Sequence, residues 1–237
     1  MTFRTSVTIV ASPRPRVGKT LAARLVTDYH LHAGRVPAAF DLNDGERRLA
    51  EFLPAQAVTA SIDGIEGQMA LFDALVSGDE RPRIVDLGAD KFERFFALAE
   101  QFGFGEETRA RGLACAVLFV LTPDRTSVEA WRGLHRRFPR MMLTPVHNEM
   151  FGPMPPRERY ALNPGDPVVR LPMLAPALRR MIETPPYSFA AVEHAGMPAD
   201  AQAELRRWLR RIYLEFRELD LRLLIADLES SIRFGAS

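Results

Sequence analysis

The sequence predicts a three-layer α/β domain, with helices on both faces of a parallel sheet and a helical extension at the C-terminal end. Three observations carry this expectation. Across the first two thirds of the chain, short apolar runs alternate with amphipathic segments of about 10–15 residues, the spacing of βαβ units. The first such pair is joined by Gly18-Lys19-Thr20, at the point where a strand pattern gives way to a helical one. Residues 199–234 then carry one long helical pattern. The 237 residues are 47% hydrophobic, 26% charged and 9% aromatic, enough for a sizeable core and unlike a disordered tract, a collagen repeat or a coiled-coil rod.

Residues 6–11 are apolar or small on both faces, as a strand covered on both sides should be. Residues 18–33 turn helical, with Leu21, Leu25 and Val26 as one stripe and Gly34 suited to stop the helix. Residues 36–41 return to strand. Residues 64–76 are helical on Ile65, Met69, Phe72, Leu75 and Val76. Residues 83–87 are strand and 91–102 helix, where Phe92, Phe95 and Phe96, extended by Leu98 and Phe102, form a core stripe rather than a ligand platform. Residues 114–121 are the strongest strand, followed by a helix over 126–138 and a strand over 141–147. Five prolines between 149 and 167 mark a loop across the sheet's edge before a short sixth strand at 168–171. A short helix begins near Ala175 and stops at Pro185-Pro186. In the final helix Leu205, Leu209, Ile212, Phe216, Leu219 and Leu223 follow a heptad spacing.

Several function classes are excluded or disfavoured. Thirty-one basic and 30 acidic residues give a formal charge of +1, so the whole chain has no electrostatic attraction for nucleic acid. One cysteine, Cys115, excludes an internal disulfide and a four-cysteine zinc site, and its apolar run makes it a buried thiol. No apolar stretch approaches the roughly 20 residues that cross a membrane. Residues 1–6 lack the apolar segment of a signal peptide, and a cytoplasmic protein is expected. His30 and His32, two apart on a helix, do not face the same way and make no metal site. The basic residues are 29 arginines and only Lys19 and Lys91, so each lysine is informative.

The chemistry begins at Pro13-Arg14-Pro15-Arg16-Val17-Gly18-Lys19-Thr20. Glycine lets backbone approach phosphates, lysine brings a point charge to their oxygens, and the threonine hydroxyl can ligate Mg²⁺. An apolar strand leads in and a helix starts at the right residue, the context a phosphate-binding loop requires. Arg14 through Thr20 resembles, in register, the deviant loop Lys-Gly-Gly-Val-Gly-Lys-Thr of the ParA/MinD family. The resemblance runs over about residues 5–183. Asp41-Leu42-Asn43-Asp44 stands where that family has Asp-x-Asp, and Ile84-Val85-Asp86-Leu87-Gly88-Ala89 resembles its Walker B strand. Val117 to Asp124 with Ser127 matches its fourth-strand pattern. Val146-His147-Asn148 and Leu171-Pro172 match its base-side segments.

The resemblance implies a three-layer P-loop NTPase domain over residues 1–195, an amphipathic helix over 196–237, and an ATP-binding switch that dimerises with nucleotide. It implies phosphate contacts from Arg16, Val17, Gly18, Lys19 and Thr20, with Arg14 reaching across a homodimer to the partner's phosphates. Mg²⁺ would be held by Thr20 and Asp86, Asp41 would act at the switch, Asn148 would read adenine, and Pro172 would pack near the base. The controlled protein partner or cargo is left unnamed. The dethiobiotin-synthetase and cobyrinate-amidotransferase group, which shares the Val-Gly-Lys-Thr loop, is the enzymatic alternative, and a scaffold without nucleotide is a third.

Three departures bear on catalysis. Pro13 and Pro15 lack backbone N–H groups where the family uses a flexible cradle, and Arg14 and Arg16 can compensate with guanidinium–phosphate forks. Asn43 replaces the acid that the family ties to positioning the attacking water, although Asp44 lies next to it. Binding therefore survives these changes better than hydrolysis, which should be slow or partner-dependent. In the last helix, Arg206, Arg207, Arg210 and Arg211 surround Trp208. They could touch DNA phosphates or lipid headgroups. Glu215, Glu218 and Asp220 follow closely, so a solvated face on a docked helix is the favoured reading.

Overall fold

The computed structural model describes residues 6–45, 48–194 and 196–235, without side chains for 192–194 and 226–235. Residues 1–5, on which the signal-peptide reading falls, and residue 195, at the expected boundary, lie outside the described residues.

Among the described residues, seven parallel strands form one sheet, ordered β3-β2-β4-β1-β5-β6-β7. They are β1 (Ser6–Ala11), β2 (Ala38–Leu42), β3 (Ala57–Thr59), β4 (Arg83–Leu87), β5 (Ala114–Val120), β6 (Met142–Asn148) and β7 (Val169–Leu171). The helices are α1 (Lys19–His32), α2 (Leu49–Phe52), α3 (Ile65–Leu75), α4 (Phe92–Gln101), α5 (Phe104–Ala110), α6 (Arg125–Arg137), α7 (Pro176–Ile182) and α8 (Ala199–Gly235). The six expected strands are all present, with ends shifted by at most two residues. β3 and the short helices α2 and α5 were not anticipated. β3 has three residues at the sheet's edge, two of them exposed, and a run that short carries no readable period. The proline-rich stretch holds two short 3₁₀ turns, Glu149–Phe151 and Arg157–Tyr160.

The alternation along each strand sorts the core into two layers. In β5, Ala116, Leu118 and Val120 face α1, α7 and α8. Val117 and Phe119 of the same strand, with Leu121 beyond it, face α3, α4, α5 and α6. A strand covered on both faces must be apolar at every position, which is why 114–121 read so strongly. The second layer is an aromatic cluster: Phe92, Phe95, Phe96, Phe119 and Trp131 are buried there, and Phe72 stacks on Phe95 at 5.4 Å. Cys115 lies in this layer, and burial pushes its thiol up to about 12.

The first layer contains charge. Arg24 of α1 donates to the carbonyls of Ile182 (2.7 Å) and Tyr187 (3.2 Å) and lies 3.8 Å over the Phe52 ring. Asp28, one turn on, accepts from the Ser188 hydroxyl and from the Phe189 and Ala190 amides. α1 is thereby fastened to the segment after α7. The heptad residues of α8, Leu205, Leu209, Ile212, Phe216, Leu219 and Leu223, are buried in this layer, while Arg206, Arg207, Arg210 and Arg211 are exposed. The stripe docks on its own domain. α1 stops as expected: the Gly34 amide donates to Leu31 O from a φ of 73°.

Candidate nucleotide site

β1 lies mid-sheet between β4 and β5. Its connection leads toward the β3 edge and that of β5 toward the β7 edge. In open α/β sheets this reversal leaves a crevice at the strands' C-terminal ends, where ligands bind. Every residue singled out by the sequence as a site candidate lies at this end of the sheet.

The loop between β1 and α1 adopts its shape despite two prolines. Arg16 sits at φ 59°, the left-handed backbone that glycine supplies in the family loop, at an expense of about 1 kcal/mol. Gly18 caps α1 at φ 97°, a left-handed backbone that favours glycine, and a Cβ there would also crowd the Asn148 amide. The Lys19 amine turns back into the loop and donates to Arg14 O at 2.7 Å. Lys19 is buried, which lowers its pKa against the opposing pull of Asp86 and Asp90. A buried ammonium beside a helix N-terminus is an anion-binding arrangement.

Parallel register sets Asp41 of β2 beside Asp86 of β4, and Asp86 beside Val10 of β1. Both carboxylates are fully buried. The Thr20 hydroxyl donates to Asp86 Oδ2 at 2.7 Å, and Asp86 Oδ1 has no hydrogen-bond partner among the described residues. Burial, with the neighbouring Asp41 charge, pushes Asp86 up to about 7 against the Thr20 hydrogen bond and the Lys19 charge. An orphaned carboxylate oxygen beside a hydroxyl supplies hard oxygen donors of the kind Mg²⁺ takes, with its remaining positions left to water and phosphate. The residues present fit that ion.

Asp41 is bound up in its own loop. Its Oδ1 accepts from the Asn43 amide N–H (3.1 Å) and side-chain Nδ2 (2.9 Å), and its Oδ2 accepts from Ala50 N (2.9 Å). Asn43 Nδ2 also donates to Asp86 O at 3.2 Å. Asparagine at 43 is thus a donor bridging β2 to β4, a task no carboxylate can perform. The sequence marked this residue as a missing acid; its role as a donor became visible only with its partners in place.

Arg14 projects from the loop, 46% exposed, and its Nε lies 3.3 Å from Asp124 Oδ2. Asp124 itself caps α6, accepting from Ser127 N at 3.2 Å. On the far side, Asn148 Nδ2 donates to Val17 O (3.2 Å) and its Oδ1 accepts from Met150 N (3.2 Å). The Pro172 carbonyl accepts from Trp208 Nε1 of α8 at 2.8 Å. Phe151, beside Gly18, is 52% exposed, and Met173, next to Pro172, is 66% exposed. The Trp208 contact was not foreseen, because it joins residues 36 apart through a helix that the sequence reads only as an extension.

Thus Arg14, Arg16, Val17, Gly18, Lys19, Thr20, Asp41, Asn43 and Asp86 come together around the first loop, with Asn148 touching it through Val17. Pro172 stands apart, on the loop after β7. Lys91 was also missed as a site neighbour, although the rarity of lysine marked it. It meets Asp44 and Asp63 at 3.0 Å each.

No family model and no curated protein sequence matches the chain. Solved structures do resemble it. A MinC:MinD cell division protein complex of Aquifex aeolicus superposes with a TM-score of 0.54 at 18% identity, covering 88% of this chain and 95% of that one. The MinD cell division protein of Aquifex aeolicus gives 0.50 at 15% identity, covering 88% and 96%. At such identities the likeness establishes the three-layer fold.

Proposed function

We propose that the chain is an adenine-nucleotide switch of the ParA/MinD type, binding ATP with Mg²⁺ at the β1–α1 loop and coupling the bound state to self-association and to a protein partner or cargo. The reading rests on one observation above the others: the Thr20 hydroxyl 2.7 Å from Asp86, whose second oxygen is buried without a partner among the described residues, next to a buried lysine at a helix N-terminus. Lys19 and Arg16, with the amides of Val17 and Gly18, hold phosphates in this reading. Thr20 and Asp86 hold the ion, which when bound supplies positive charge to the phosphate oxygens. Asn148 and Pro172 border the base, and Asp41 with Asn43 fixes the loop beside the terminal phosphate. Residues 1–195 form the nucleotide domain, residues 196–237 its helical extension, and the protein works in the cytoplasm. Arg14 extends across the interface of a homodimer once it leaves Asp124. The fold likeness to MinD supports the reading at the level of architecture.

The test is a thermal-shift series with ATP, ADP and GTP, with and without Mg²⁺, followed by sedimentation. ATP with Mg²⁺ should raise the melting temperature and increase the dimer fraction. Arg14→Ala should keep the thermal shift and lose the dimer. Absence of any nucleotide shift would sink the reading. A shift with a monomer at all ATP concentrations would leave a nucleotide-binding enzyme instead of a switch.

A further inference from the structure

The loop after β2 carries a carboxylate that the site does not use. Asp41 is buried and hydrogen-bonded through both oxygens, and residue 43 is an amide that faces inward. Asp44 follows one peptide unit later, about 3.8 Å along the chain. Its carboxylate is 72% exposed and lies 3.0 Å from Lys91 Nζ, its one ion-pair partner among the described residues. Lys91 immediately precedes α4 and is only 15% exposed, because carboxylates crowd it: Asp63 at 3.0 Å and Asp90 at 3.7 Å complete the ring. Asp63 has other holds. Arg94 donates to its carbonyl at 2.9 Å and pairs with its carboxylate at 3.5 Å, and Ser61 donates to it at 3.2 Å. Asp63 is therefore the fixed end of the clamp and Asp44 the end held, among the described residues, by the Lys91 ion pair.

We propose that Lys91 is a positioning residue that holds Asp44 away from the nucleotide site, so that the Lys91–Asp44 ion pair restrains ATP hydrolysis. The inference rests on the nucleotide reading above. Three loops meet at this lysine, those following β2, β3 and β4; the first also carries Asn43, and the third leaves the strand that carries Asp86. Freed from Lys91, Asp44 is the nearest unengaged carboxylate in sequence to the Asn43 bridge. In the step it would serve, the oxygen of a water bonds to the γ-phosphorus of ATP. The bond from that phosphorus to the β–γ bridging oxygen breaks, its electron pair leaving with ADP. The water's proton passes to the Asp44 carboxylate and then to solvent. A partner that draws Lys91 or Asp63 aside would release the restraint, which gives the switch a way to be timed.

The experiment measures ATP affinity by a fluorescent ATP analogue, and kcat and KM for phosphate release, on the full chain. Lys91→Met should bind the analogue as the natural chain does and raise kcat by about tenfold, a modest part of what general-base assistance supplies. Lys91→Arg should restore the low rate, and Lys91→Met combined with Asp44→Asn should cancel the gain. An effect on packing alone would not raise kcat at constant affinity. A second measurement needs no variant. Raising the salt concentration at saturating ATP should increase kcat of the natural chain, since the Asp44 half of the pair is exposed and salt screens it, and this route remains if Lys91→Met does not fold. Normal binding with an unchanged or lower kcat in Lys91→Met, or a gain that persists without Asp44, overturns the proposal. Failure of the natural chain to bind the analogue instead overturns the nucleotide reading beneath it.

Discussion

The two ends of the crevice are built differently. Around Lys19, Thr20, Asp41 and Asp86 the side chains are buried or half-buried, and most of their polar atoms already have protein partners. At the other end Asn148 and the Pro172 carbonyl are held, but Phe151 and Met173 present apolar surface to solvent. A preorganised end binds its ligand group without ordering side chains first, whereas an open end pays for that order on binding. In the proposed nucleotide reading, the Lys19 end holds phosphate and should therefore dominate affinity, and the Asn148–Pro172 end, beside the base, should tune it.

The sharpest test of that division separates phosphate from base. Lys19→Ala should weaken both ATP and inorganic tripolyphosphate about 100-fold, the scale expected for loss of charge-assisted hydrogen bonds. Titration calorimetry with both ligands reads it, and equal binding by variant and natural chain would place the phosphates elsewhere. Next in size is Asn43→Asp. It removes the donor to Asp41 and to the Asp86 carbonyl and sets a carboxylate against a buried carboxylate, so stability should fall by about 2 kcal/mol in urea unfolding. A variant as stable as the natural chain would show that the bridge between β2 and β4 carries no weight. It would also restore the simpler view of residue 43 as a missing acid.

The smallest expected effect lies at the base end. Trp208→Phe keeps the ring in its buried place and removes one hydrogen bond to Pro172, which should lower stability by about 1 kcal/mol and the melting temperature by about 2–4 °C. ATP affinity should fall a few-fold while tripolyphosphate affinity stays put. If both ligands weaken equally, the loop after β7 acts on the whole site and the two ends are not separable.

The sequence carried most of the frame. Strands covered on both faces must be apolar throughout, and the helices between them must alternate on a longer period, so six strands and the main helices could be read directly. Gly18-Lys19-Thr20 between the first strand and helix likewise marked a candidate anion site, since a helix N-terminus, a lysine and a hydroxyl coincide there. The β3 strand escaped because three residues have no period, and α8 was legible as a helix with a stripe but not as the element that reaches Pro172.

What tertiary structure alone decided is how polar groups are shared. Asp41, Asn43 and Asp86 become one network only because parallel register lays β2 against β4. Arg24 and Asp28, charges on a helix that reads as amphipathic, are buried because the segment after α7 folds over them and offers its carbonyls and amides. Lys91 meets Asp44 and Asp63 because three loops end at the same edge of the sheet. Periodicity records which side of an element faces the core, because burial acts on every residue in turn. Hydrogen bonds and ion pairs depend on distances of about 3 Å between residues far apart in the chain, and only the assembled sheet sets those.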